Sequence, residues 1–401
     1  MAIVIIGAGQ AAGQAAASLR QEGSDEEIII LGDEPHIPYS RPLLSKEYLA
    51  GHESARLYLR AEKFYTDKNV TMRTNTRAEK IDTAAKTVTI EGGEVVEYSK
   101  LLIATGSRAR ILNIKGSDLG GIYYLRTLDD VNQIKDAMAP GKNLVIVGGG
   151  YIGLEVASVA KQSGMNVTVI EAADRILQRV TTPEMSEFYD GLHTGHGVKI
   201  MKDTGVSGFD GEGNVTHVCC GDELVEADMV IVGIGIIPNT ELAAEAGIDC
   251  DNGIVVDERC RTSAEDVYSA GDCANHPNPI LGRRLRLESV PNAADMARVV
   301  AANMMGKDKT YAAVPWFWSD QYDLKLQMVG FSADGDTQVV RGDKSANKFS
   351  VLYLKDGALV SVDAVNSPAD FMAGKMFYGK KLNPEGLSNA DIPLKDLVLS
   401  E

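Results

Sequence analysis

Two glycine-rich turns carry the first chemical signal in this chain of 401 residues. Gly7-Ala8-Gly9-Gln10-Ala11-Ala12 follows the apolar run Ala2–Ile6, and Gly148-Gly149-Gly150-Tyr151-Ile152-Gly153 follows a similar run, Asn143–Val147. Without a Cβ, glycine lets the backbone approach a pyrophosphate and aims helix N-terminal N–H groups at it. An acid follows each turn: Asp33 stands 24 residues beyond Gly9, with Glu34 beside it, and Glu171 stands 21 beyond Gly150. A carboxylate about 20 residues on can accept hydrogen bonds from an adenosine ribose. Gly7, Gly9, Asp33 and Glu34 are therefore candidates for one dinucleotide, and Gly148, Gly150, Ile152, Gly153 and Glu171 for another. Ala12 stands where the third glycine of the first turn would be, a replacement the pattern tolerates. One such turn is weak evidence; two, each with its acid, predict two cofactors. Glu171 favours a ribose with a free 2′-hydroxyl and repels a 2′-phosphate, which predicts NADH; Arg175, four residues on, leaves phosphate binding open.

Each turn must be held between a strand and a helix. The β-branched runs before the turns read as strands, the small-residue patterns through Leu19 and Gln162 as helices, and residues 27–31 and 166–170 as the next strands. These are two βαβ units. Further strands are predicted at 100–103, running into Ala104-Thr105-Gly106, at 229–232, running into Gly233-Ile234-Gly235, and at 267–269, which sets Asp272 at a strand tip. Beyond Trp316 the pattern changes to short alternating segments at 316–322, 324–329, 337–341, 349–354 and 359–365, spaced like an antiparallel sheet. A β-rich domain should begin near residue 310.

Composition narrows the class. The chain holds 40 Lys and Arg against 56 Asp and Glu, a net charge of −16, which disfavours a protein built to coat nucleic acid or an anionic membrane. With 44% hydrophobic and 24% charged residues it reads as globular, and its length suggests two to four domains. The five cysteines, Cys219, Cys220, Cys250, Cys260 and Cys273, show neither a C-x-x-C pair nor zinc-site spacing, so no disulfide framework or metal is expected and a cytoplasmic location fits. The longest apolar stretch, 229–238, is far shorter than the roughly 20 residues a membrane helix needs, and Met1 leads into Ala2–Ile6 with no basic leader.

Taken together, GAGQAA at 7–12, RPLLSKEYL at 41–49, ATG at 104–106, YLRTLDD at 124–130, VIVGGGYIGLEVA at 145–157, AGDCA at 270–274, ESVPNA at 288–293 and PWFWSDQYDLKLQMVG at 315–330 carry a family resemblance. The chain resembles the FAD-containing, NADH-dependent ferredoxin reductases of bacterial aromatic-ring dioxygenase and cytochrome monooxygenase systems, the putidaredoxin reductase family. The resemblance runs from residue 2 to about 395, and WFWSDQY is its most specific part. It implies an α/β fold of the glutathione-reductase type: two Rossmann-like dinucleotide-binding domains and a C-terminal α+β domain. The implied boundaries are 1–110 and 235–309 for the FAD domain, 111–234 for the inserted NAD domain, and 310–401 for the last.

The implied reaction is hydride transfer from NADH to FAD, then release of single electrons to a two-iron ferredoxin. Gly7, Gly9, Ala11, Asp33 and Glu34 would hold the ADP half of FAD, Asp272 its ribityl and pyrophosphate region, and Glu288, Ser289 and Val290 would border the isoalloxazine from a helix N-terminus. Cofactor contacts are further implied at Arg41, Ala78, Ala104, Thr105, Gly106, Arg126, Trp318 and Gly235. Lys46 would place its ammonium near the flavin ring, with Glu155 as its partner and as a contact of the nicotinamide carboxamide; these two are the implied catalytic pair. Arg283, Arg284 and Arg286, with Arg298 nearby, form the densest basic cluster and a candidate docking patch for an acidic ferredoxin. A monomer or weak homodimer is expected. Ferredoxin or rubredoxin reduction for a cytochrome monooxygenase or alkane hydroxylase is the alternative within the family. Disulfide reductases and NADH peroxidases need a redox thiol in the N-terminal part, and no cysteine precedes Cys219. An interaction protein of the apoptosis-inducing-factor type would carry a targeting segment or long basic region, and neither is seen.

Overall fold

A computed structural model describes residues 1–52 and 56–399. The chain divides into two compact units. Unit 1 takes Met1–Ser40, Ala55–Arg108 and Ile236–Pro315; unit 2 takes Arg41–Ser54, Ala109–Gly235 and Trp316–Glu401.

Unit 1 is built on a seven-stranded sheet. Ala2–Ile6 lies at its centre, parallel to Ile28–Leu31 on one side and to Val95–Ile103 on the other. Val70–Arg73 extends the first side and Val267–Ser269 pairs with Val95–Ile103, both in parallel. An antiparallel hairpin, Ala78–Asp82 with Thr87–Ile90, continues from Val95–Ile103. Every residue of Ala2–Ile6 is buried, as expected of a parallel strand covered on both faces. The covering helices Gln10–Gln21 and Val290–Met304 are alanine-rich; Ala12, Ala15, Ala16, Ala297 and Ala301 pack into one core cluster with Ile3, Ile5 and Leu102. Small side chains let these helices lie close together over the sheet.

Unit 2 repeats the scheme in a five-stranded parallel sheet, ordered Lys199–Met201, Asn166–Ile170, Asn143–Val147, Met229–Val232, Ile122–Tyr124. A three-stranded antiparallel meander, Gly208–Asp210, His217–Cys220 and Glu223–Glu226, was not anticipated from the sequence; its strands are only three or four residues long. From Trp316 the chain forms a five-stranded antiparallel sheet, ordered Trp316–Gln321, Leu324–Gly330, Ala358–Val365, Lys348–Lys355, Thr337–Asp343, followed by the helix Pro368–Met376. The alternating segments read from the sequence are its five strands, each within two residues at either end. The RPLLSKEYL segment clusters with unit 2, where Arg41 donates to the Arg126 carbonyl at 2.8 Å and Tyr48 to Asn132 at 2.8 Å. Among the described residues no helix is long and apolar enough to cross a membrane.

Candidate functional site

Both glycine turns sit where strand order reverses, at the carboxyl end of the central strand, the position at which open α/β sheets bind ligands. In unit 1, Gly7 has φ +102°, and a Cβ there would stand 2.2 Å from the Ala104 carbonyl oxygen. In unit 2, Gly148 has φ +110°, and its Cβ would meet the Gly233 carbonyl at 2.4 Å. Those two glycines are demanded by the fold, because neighbouring backbone occupies the space. Gly9 and Gly150 differ. Each is the residue before its helix, with extended backbone, and a Cβ would meet no protein atom within 4 Å. The open space lies over the unpaired first-turn N–H groups of the helices, so it is a cradle a pyrophosphate fits and a side chain would fill. Gly153 is again a packing glycine, 2.3 Å from the Gly148 carbonyl by the same measure.

The acids stand as spaced. Gly32 brings the Asp33–Glu34 tip against Ala8 of the first turn; Asp33 is exposed, and Glu34 accepts from the Tyr39 hydroxyl at 2.6 Å. Glu171 accepts from the Gly149 amide at 2.8 Å and the Ala173 amide at 2.9 Å, which fixes its carboxylate beside the second turn. Arg175, left open as a phosphate ligand by the sequence, turns instead into its own loop. It donates to the Thr181 carbonyl at 2.9 Å, the Ser186 hydroxyl at 2.6 Å and the Gln178 carbonyl at 3.1 Å.

Unit 1 gathers more of the predicted residues around its turn. Asp272 accepts from Ser107 at 2.8 Å, which ties the Gly-Asp tip to the strand end carrying Ala104, Thr105 and Gly106. Thr105 donates to the Asn239 carbonyl at 2.7 Å and takes the Asn239 amide at 2.9 Å. A Cβ on Gly271 would touch Ala11 at 3.5 Å and Ala293 at 3.7 Å, so the N-termini of helices Gln10–Gln21 and Val290–Met304 meet at this tip. Ser289 caps the second helix by accepting from the Asn292 amide at 3.3 Å; Val290 is its first residue, and Glu288 pairs with Arg286 at 2.8 Å. Ala78 opens the outermost hairpin strand, three strands from the glycine turn along the sheet.

Unit 2 brings Lys46 and Glu155 together. The Lys46 ammonium lies 2.7 Å from Glu155 Oε2, with the acid 3% exposed on the first turns of helix Tyr151–Gln162. Two hydroxyls absent from the sequence reading complete the site: Ser45 donates to Oε2 at 2.5 Å and Ser319 to Oε1 at 2.6 Å. Period-two alternation in the strand Trp316–Gln321 was the available signal, since it puts Ser319 and Gln321 on one buried face. Arg126 anchors nearby through its backbone: its amide donates to Asp130 at 3.1 Å, and Thr127 with Asp130 forms a capping box for helix Leu128–Ala137. Ile152, 46% exposed, presents an apolar side chain beside Gly150, and Gly235 at φ +107° ends the segment that leaves Met229–Val232. Trp318 is half-buried and tilts against Trp316 at 5.8 Å between ring centres; Trp316 in turn meets Phe371 and lies under Lys375.

In the basic cluster, Arg283 and Arg284 are exposed on the strand Arg283–Leu285, although Arg284 also donates to the Val256 carbonyl at 2.7 Å. Arg286 is engaged by Glu288, and Arg298 by Asp295.

The model of the pyridine nucleotide-disulphide oxidoreductases matches residues 1–297, and that of the reductase C-terminal domain matches residues 316–398. Rhodocoxin reductase of Rhodococcus erythropolis is 43% identical, over 98% of this chain and 94% of its own. The ferredoxin–NAD(+) reductase component of the anthranilate 1,2-dioxygenase system of Burkholderia cepacia is 40% identical, over 98% of both. Among solved structures, the covalent putidaredoxin reductase–putidaredoxin complex superposes with a TM-score of 0.95 at 40% identity, covering 98% of this chain and 97% of that one.

Proposed function

Because the chain belongs to the pyridine nucleotide-disulphide oxidoreductase family, among its FAD- and NAD(P)-using ferredoxin reductases, we propose that it passes electrons from NADH through FAD to a two-iron ferredoxin. That ferredoxin would feed a bacterial oxygenase, with an aromatic-ring dioxygenase as the first assignment and a cytochrome monooxygenase or alkane hydroxylase system, the latter through a rubredoxin, as the second. The observation that carries this reading is the ion pair between Lys46 and the buried Glu155, which lies on the helix that begins at the open Gly150 cradle. When bound, FAD supplies the conversion of one hydride into two single electrons.

The protein's part is orientation and charge. Unit 1 is assigned to FAD: Gly7, Gly9 and Ala11 at the pyrophosphate, Asp33 and Glu34 at the ribose, Asp272 at the ribityl chain, and the Ser289–Val290 helix end at the ring. Unit 2 is assigned to NADH, with Glu171 on the adenosine ribose and no cation from Arg175 to offset a 2′-phosphate. Glu155 would hold the nicotinamide carboxamide, and Lys46 would favour negative charge developing on the flavin as hydride arrives. Four of the five cysteines are poorly suited to the rival thiol chemistry. Burial pushes the Cys260 and Cys273 thiols up, and the Cys220 and Cys250 thiols shift the same way. A thiol so shifted is a poor nucleophile. Arg283 and Arg284 are assigned to ferredoxin docking, with Arg286 and Arg298 as charged neighbours; the protein is read as a cytoplasmic monomer or weak homodimer.

Anaerobic mixing with NADH tests the reading. The yellow protein should bleach, ferricyanide should be turned over, and a two-iron ferredoxin should then be reduced. Slow bleaching with no turnover of either acceptor would refute it.

A further inference from the structure

Of the most specific sequence segment, WFWSDQY, the family resemblance implies only Trp318 as a site residue. Its polar members lead elsewhere. Ser319 Oγ donates to Glu155 Oε1 at 2.6 Å and accepts from Gln321 Nε2 at 3.1 Å. Gln321 Oε1 lies 2.8 Å from His193 Nε2, and the Tyr322 hydroxyl lies 3.3 Å from His193 Nδ1. Ser319, Gln321 and His193 are buried to 1% exposure or less. Tyr322 stacks on the exposed ring of His196 at 3.8 Å between centres.

The direction of these bonds follows from chemistry. A carboxylate only accepts, so the single Ser319 proton goes to Glu155 and its oxygen must accept from the amide of Gln321. That leaves Gln321 Oε1 to accept the Nε2–H of His193, whose Nδ1 then accepts from Tyr322. Burial pushes His193 down to about 4, so it is the neutral ring that this pattern needs at neutral pH. Every donor therefore points the same way, from the surface toward Glu155. Such chains polarise one another and strengthen the terminal bond. Tyr322 has φ +55°, unusual for a residue with a side chain, and its amide donates to Ser158 of the Glu155 helix at 2.7 Å. The other ionisable groups facing Glu155 are Lys46, Tyr151 on its own helix and Tyr189 on Pro183–Gly195; burial pushes both phenols up, so they stay neutral.

We propose that the chain Tyr322–His193–Gln321–Ser319, buried from His193 inward, holds and polarises the Glu155 carboxylate, which makes these four side chains positioning residues for hydride delivery. It orients and does not conduct: the amide of Gln321 interrupts any proton relay. The proposal rests on the hydride-transfer reading of Glu155.

FAD-loaded Gln321→Leu, His193→Leu, His193→Gln and Tyr322→Phe test it. Stopped-flow mixing with NADH separates the limiting rate of flavin bleaching from the NADH concentration at half-saturation. Gln321→Leu and His193→Leu should slow the limiting rate about tenfold and move half-saturation less than about twofold. His193→Gln, whose side-chain N–H can replace Nε2–H, should keep the wild-type rate. A second readout needs no turnover: the infrared carboxylate band of Glu155, assigned by its loss in Glu155→Gln, should shift in both leucine variants and hold in His193→Gln. Wild-type rates in the leucine variants, an unmoved band, or equal slowing in His193→Leu and His193→Gln would overturn the proposal. Should the leucine variants not fold, the band in Tyr322→Phe decides, a shift supporting the chain and no shift overturning it. A wild-type flavin that NADH does not bleach refutes the reductase reading instead, and the same band then decides the chain.

Discussion

Glu171 is the side chain to which the proposed function gives cofactor choice. Its two oxygens each take a backbone amide, one from the glycine turn and one from its own loop, and each keeps a lone pair that a ribose hydroxyl could use. Glu171→Ala should raise the NADH concentration at half-saturation about tenfold and narrow the gap to NADPH, since it removes both an acceptor and a repulsive charge. Steady-state kinetics with the two nucleotides check this, and an unchanged ratio contradicts the ribose role. The Lys46–Glu155 pair obeys a different balance. Glu155 is buried, so Lys46→Met would strand a carboxylate with only two hydroxyl donors and should cost about 3 kcal/mol of stability as well as activity. Thermal unfolding of the two proteins at one pH measures the first loss.

At the scale of elements, the glycine turns separate packing from binding. Gly148→Ala places a methyl at φ +110° against the Gly233 carbonyl and should destabilise the fold by at least about 2 kcal/mol. Gly150→Ala meets no protein atom and should cost about 1 kcal/mol or less, while weakening NADH binding at least about tenfold by filling the cradle. Melting curves and nucleotide titration distinguish the two. The C-terminal sheet carries a second element-scale signal. Asp363, on Ala358–Val365, accepts from Thr181 at 2.7 Å and Tyr353 at 2.9 Å, and burial raises its carboxyl from 3.8 to about 6. The folded state thus holds this proton more tightly than the unfolded chain. Its contribution to stability is full below pH 3.8 and lost as pH rises through about 6. Asp363→Asn should therefore raise stability at pH 7 by up to about 3 kcal/mol, with the advantage gone below about pH 4. Denaturant curves across that range test the sign.

Across the whole molecule, the net charge of −16 would oppose an acidic ferredoxin, so the proposed docking would rely on local cations. Arg283 and Arg284 are exposed on their strand, Arg284 also donating to the Val256 carbonyl; Arg286 pairs with Glu288 and Arg298 with Asp295. Reversing charge at Arg283 and Arg284 should slow ferredoxin reduction about tenfold at low salt, less at high salt, and spare ferricyanide. Equal loss of both activities would point to damage of the fold.

The sequence alone determined the two βαβ units, the acids at their strand tips and the five C-terminal strands, because these are encoded in short runs whose apolar pattern is set by residues only a few positions apart. Alternation within Trp316–Gln321 also carries the signal, not drawn on in the sequence reading, that Ser319 and Gln321 share a face, which the structure buries. What it left undetermined were partners. Arg175 stands four residues from Glu171 yet turns to Thr181 and Ser186, while Ser45 and Ser319, 110 and 164 residues from Glu155, meet on its carboxylate. A side chain's spacing along the chain says which face it occupies, not which distant donor satisfies it. That choice is made when burial forces every polar group to find a partner, and only the tertiary structure holds the outcome.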